Sequence, residues 1–230
     1  QKGGVGKTTT AVNLSAALSE LEQRVLLIDI DPQGNATMGS GVEKNQLSLS
    51  SYEWLVGGAG LKEVVHTKEA KYDILPSNID LTAAEVGLLG MESREYVMRG
   101  LLSAAAYDYV LIDCPPSLNI LTVNALTAAN TVLIPMQCEY YALEGLSALL
   151  ETIKALRVSS NPQLDIEGLL RTMYDPRISL SRDVSRQLVT HFGEKLFRTV
   201  IPRNIKLAEA PSHGQPVIEY DRSSTGSRAY

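Results

Sequence analysis

Short apolar runs that stop at Asp or Pro alternate along this chain with stretches in which apolar residues return at helical spacing. Residues 25–30, 72–75, 109–112, 131–134, 166–173 and 197–201 read as strands. Several are apolar at consecutive positions rather than at every second one, the pattern of strands covered on both faces. Between them, residues 142–156 set Leu143, Leu146, Leu149, Leu150, Ile153 and Leu156 on one stripe of a helix. Residues 8–21, 95–106, 118–129 and 181–191 are further helices. This alternation predicts an α/β fold, a mostly parallel, twisted sheet of about seven or eight strands with helices on both faces. Residues 34–60, rich in Gly, Ser and Asn, read as a surface excursion with a short helix near 49–56.

At 230 residues the chain fits a single domain, 1–230. It opens directly on a glycine-rich loop and closes on Ser-Arg-Ala-Tyr with no helix stop signal, so a first strand and a last helix are expected beyond its ends. The two cysteines are too few for a disulfide framework and suit a reducing cytoplasm. No apolar run approaches the ~20 residues of a membrane span, so no membrane partner is expected. His66, His191 and His213 are too scattered for a metal site. The charge of −5 is unevenly spread: residues 1–150 hold 9 Lys+Arg against 17 Asp+Glu, whereas residues 151–230 hold 12 against 9. A local basic face therefore remains open to an acidic protein.

The strongest chemical signal is Gln1-Lys2-Gly3-Gly4-Val5-Gly6-Lys7-Thr8-Thr9. Glycines let backbone N–H groups converge on phosphate oxygens where a Cβ would collide. Lys7 supplies a point charge for the β- and γ-phosphates, and the Thr8 hydroxyl is a ligand for Mg²⁺. The helix that starts near Lys7 adds its positive end. The usual pattern has Gly where Gln1 stands, so the loop is a variant.

Two apolar runs end in acids. Val25-Leu26-Leu27-Ile28-Asp29-Ile30-Asp31-Pro32 puts Asp29 and Asp31 on one side of a strand end, and Tyr109-Val110-Leu111-Ile112-Asp113-Cys114-Pro115-Pro116 repeats the design. Carboxyl ends of strands are where open α/β sheets bind ligands.

With a second lysine at its start, the loop resembles the deviant Walker A motif of the ParA/MinD ATPases. Three later strings narrow the likeness to the ParA/Soj chromosome- or plasmid-partitioning branch: residues 31–37 (DPQGNAT), 137–145 (QCEYYALEG) and 209–214 (EAPSHG), together with Ile201-Pro202-Arg203-Asn204. The resemblance implies a weak ATPase with ATP and Mg²⁺ as cofactors. Lys2 would cross a dimer interface to the partner's phosphates, and Asp31 would polarise the attacking water beside the metal. Asp29 would fix local geometry or the metal's surroundings, and Asp113 would hold a water on Mg²⁺. Met173, Pro202 and Asn204 would pack around the adenine. It further implies an ATP-dependent homodimer that coats double-stranded DNA without sequence preference, and a ParB/Spo0J-type centromere-binding protein that triggers hydrolysis. Such a protein works in the cytoplasm, on the nucleoid. Lys195, Arg198, Arg222 and Arg228, in the basic third and away from the loop, are the candidate DNA contacts. A MinD-like ATPase that positions itself on membranes is the alternative. Cys114 and Cys138 lie in contexts unlike those of the iron–sulfur members of this fold and read as packing residues.

Overall fold

The computed structural model describes residues 3–67, 72–140 and 142–230. Strand β1 (Val25–Asp29) is apolar at four successive positions and buried at all five, which requires cover on both sides. Leu26 and Ile28 pack with Trp54, Leu55, Leu81, Leu88 and Met98. Val25 and Leu27 face the other way, onto Ala11, Val12 and Ala16 of helix α1 (Lys7–Glu20). β3 (Asp73–Leu75) and β4 (Tyr109–Asp113) flank β1 in parallel, and β2 (His66–Thr67) joins β3 antiparallel, so the order is β2-β3-β1-β4.

A second sheet holds β5 (Thr131–Gln137), β6 (Asp165–Tyr174) and β7 (Leu196–Pro202), all parallel. Its Ile134, Met136 and Leu169 pack against Leu146, Ile153 and Leu156 of helix Ala142–Ser159 and against Val184 and Leu188 of helix Ser179–Phe192. The fold is thus α/β and mostly parallel, as the patterning predicts. Among the described residues the strands form groups of four and three, and helix α1 touches β1, β4 and β5 and so joins the two.

Residues 34–60 carry the short helix expected near 49–56, as Ser51–Leu55, but they are not the surface excursion expected of them. Trp54 and Leu55 are core residues of the first sheet, and the helix Ser51–Leu55 is held by a capping box in which the Ser50 and Glu53 side chains satisfy each other's backbone. The helix predicted over 95–106 is shorter, a single 3₁₀ turn at Arg94–Tyr96 followed by Val97–Leu102.

The C-terminal segment, as short helices Ile205–Glu209, Val217–Tyr220 and Thr225–Ala229, lies along α1. Val217 N–H donates to Asn13 Oδ1 at 2.6 Å, the hydroxyls of Tyr230 and Thr10 are 3.0 Å apart, and Arg222 pairs with Glu20 at 2.9 Å.

Candidate phosphate-binding site

Gly6 caps α1 from a left-handed conformation, φ 87°, which a side chain would strain. Lys7, Thr8 and Thr9 then form the first helical turn, with its unpaired N–H groups. Together with Gly3, Gly4 and Gly6 they line a cavity of about 660 Å³. Asp31, Cys114 and Met173 also line it, as do Asn35, Met38, Pro211, Ser212 and Gln215 from the facing wall.

Thr8 Oγ1 donates to Asp113 Oδ2 at 2.7 Å. Asp113 is 2% exposed and stands opposite Asp29 in the β1–β4 ladder. Burial, and next the charge of Asp29, holds the Asp113 carboxyl well above the ordinary carboxylate range, against the opposing pull of Thr8 and Lys7. Asp29 is raised too, chiefly by burial. It accepts from Asp31 N–H at 3.0 Å and from both the N–H and the hydroxyl of Thr37 at 2.8 Å. Thr37 Oγ1 in turn accepts from Ser77 N–H at 2.8 Å. Between Asp31 and Thr37 the chain turns through Gly34, φ 61°, where a Cβ would lie 2.7 Å from the Ser77 carbonyl oxygen, and enters the short helix α2 (Asn35–Gly39). Asp31, 9% exposed, accepts from Gln33 N–H at 2.9 Å while lining the cavity.

Crowded, buried carboxylates beside a hydroxyl form an oxygen donor set suited to a hard divalent cation, which would relieve their mutual repulsion. Thr8, Asp31 and Asp113 fit Mg²⁺, with Asp29 one layer behind as a brace.

Other expected residues are placed differently. Lys2 lies outside the described residues. Val5 does not line the cavity; its carbonyl accepts from Thr172 Oγ1 at 2.8 Å. Pro202 and Asn204 do not line it either, and the Asn204 side chain is engaged in capping helix Ile205–Glu209 and in donating to Thr225. Lys195 pairs with Asp165 at 3.0 Å and Arg222 with Glu20, whereas Arg198 and Arg228 are exposed. Cys138 is buried, burial pushes the Cys114 thiol up to about 12, and among the described residues neither thiol belongs to a group of three or more His, Cys, Asp and Glu that could hold a metal. Thr172, near the end of β6, is the residue that the patterning missed, and no spacing rule marks it; Thr37 and Gln137 fall within the ParA/Soj-like strings but carried no role there. Pro211 and Ser212 fall within one of the ParA/Soj-like strings but carried no role there.

A family model described as an AAA domain matches residues 1–166. The chromosome partitioning protein ParA of Caulobacter vibrioides is 50% identical over 235 residues, covering 100% of this chain and 88% of the relative. The sporulation initiation inhibitor protein Soj of Bacillus subtilis is 50% identical over 233 residues, covering 100% and 92%. A solved structure from Mycobacterium smegmatis, described as cobyrinic acid a,c-diamide synthase with bound ATP analogue and magnesium, superposes with a TM-score of 0.88 at 38% identity, covering 100% of this chain and 87% of that one. Likeness of this extent, over a chain whose loop, strand-end acids and cavity coincide, is that of a common family: the chain belongs to the AAA-domain proteins and, within them, to the ParA/Soj chromosome-partitioning ATPases.

Proposed function

We propose that the protein is a DNA-segregation ATPase, working on the nucleoid in the cytoplasm, that binds Mg-ATP in this cavity and dimerises around it. One observation supports the reading above the rest: the 2.7 Å link from Thr8 to Asp113, which sets a helix N-terminus, a hydroxyl and a buried carboxylate on one cavity. Lys7 and the backbone N–H groups of Gly3, Gly4 and Gly6 would hold the phosphates, and Thr8, together with Asp113 through a water, would hold Mg²⁺, which when bound would neutralise charge on the leaving ADP. Asp31, fixed by its turn to Gln33 and by the brace of Asp29, orients the attacking water, and hydrolysis yields ADP and phosphate. Met173, with Pro202 and Asn204 beyond it, lies on the side of the adenine. Lys2 reaches across to the phosphates of a second copy, because a tetra-anionic nucleotide attracts more cation than one loop provides. The homodimer binds double-stranded DNA without sequence preference, and a ParB/Spo0J-type centromere-binding protein stimulates hydrolysis and release.

Light scattering with ATP tests the switch. Lys2→Ala should bind Mg-ATP yet stay monomeric. Asp31→Ala should form a persistent dimer, with hydrolysis slowed about 10²–10⁴-fold, the usual worth of a positioned acid–base group. A Lys2→Ala protein that dimerises like the parent would overturn the sandwich.

A further inference from the structure

We propose that Thr172 is a positioning residue for the phosphate loop, fixing the Val5–Gly6 peptide so that its N–H faces the nucleotide; the inference rests on the nucleotide reading above. Thr172 is 2% exposed, and its hydroxyl donates to the Val5 carbonyl at 2.8 Å. A peptide is planar, and no cis bond occurs among the described residues. Turning the Val5 carbonyl toward Thr172 therefore throws the Gly6 N–H to the opposite side, and Gly6 lines the cavity. A Cβ placed on Gly6 would touch the Thr172 side chain at 3.6 Å, so the two residues pack directly.

The end of β6 is shaped for this contact. Consecutive strand residues point to opposite faces, yet Thr172 holds the loop and Met173 lines the cavity. Met173 reconciles the two by a left-handed backbone, φ 48°, a strained state that persists only where its surroundings fix it. The Gln137 amide, 2.8 Å from the Met173 sulfur, is one such restraint. Thr8 bonds to Asp113 at the end of β4 and Val5 is held by Thr172 near the end of β6, so the loop is pinned from two strands at once.

Titration calorimetry with Mg-ATP on the full chain separates the outcomes. Thr172→Val keeps the shape and loses the donor, and should weaken binding about tenfold, the effect of freeing the part-buried Val5 carbonyl to turn its peptide. Thr172→Ser keeps the donor and should bind within about twofold of the parent. Because the N–H contacts phosphate before and during reaction, KM should rise with kcat unchanged in Thr172→Val. A residue that serves only packing would lower the fraction of sites that bind, not their affinity. Unchanged affinity in Thr172→Val, or equal loss in Thr172→Ser, overturns the proposal. A parent protein that binds no Mg-ATP overturns the nucleotide reading instead.

Discussion

Asp29 and Asp113 face each other across one rung of the β1–β4 ladder, both buried, an arrangement that costs stability whenever both are ionised. The folded-state pKa of Asp113 lies above its unfolded value near 4. Its favourable contribution is therefore complete below that value and is lost as pH rises through the folded one. Asp113→Asn should accordingly raise the thermal midpoint of the nucleotide-free protein at pH 8 by about 2–5 °C. The gain should shrink toward pH 4, and Mg-ATP binding should fail; scanning calorimetry and titration calorimetry check the two halves. Lys7→Ala removes the cation of the loop and should abolish Mg-ATP binding; tight binding in that variant would refute the loop assignment. At this scale the sequence is legible where chemistry is concentrated in a string, as in the loop and the strand-end acids. It is silent where one side chain acts across the fold: Thr172 meets Val5 from 167 residues away, and nothing near Thr172 in the chain announces it.

The link from β1 through Thr37 to the segment after β3 is a property of elements rather than of one residue. Thr37 is fully buried, its N–H and hydroxyl donate to Asp29, and its oxygen accepts from Ser77. Thr37→Val fills the same volume and strands the Ser77 N–H, which should cost about 1–3 kcal/mol in urea unfolding and slow hydrolysis by loosening Asp31. Normal stability with normal turnover would make the network incidental. Six of the seven strands among the described residues are readable from their apolar runs; β2, exposed at its described residues His66 and Thr67, carries no pattern to read. Helix Leu81–Leu89 escapes for the opposite reason. It is apolar almost all round, with Leu88 buried and both Val86 and Leu89 exposed, so no stripe at helical spacing marks it.

At the scale of the molecule the charge map separates the basic candidates. Arg222 and Lys195 are already paired with Glu20 and Asp165, so binding a DNA phosphate through them means first giving up a partner. Arg198 and Arg228 should carry more of any contact. Each neutralised phosphate contributes about −0.9 to the slope of log affinity against log salt. Arg228→Ala should therefore flatten the dimer's slope by about 1.8, since both copies lose one contact, and weaken binding equally on unrelated sequences. A dimer that ignores DNA at low salt but binds anionic vesicles would favour the MinD-like alternative. Two clusters of core residues, one around β1 and one around β6, also give the protein an internal spectroscopic contrast. Its one tryptophan, Trp54, is 1% exposed and belongs to the core of the first sheet, so its emission reports on that half alone. The 18-residue helix Ala142–Ser159 and the 14-residue helix Ser179–Phe192 give the second half a large share of the far-ultraviolet ellipticity. In a urea titration the emission trace follows the first core and the ellipticity trace weighs the second. Saturating Mg-ATP, gripped by a loop that residues of both hold, should move both traces to higher urea.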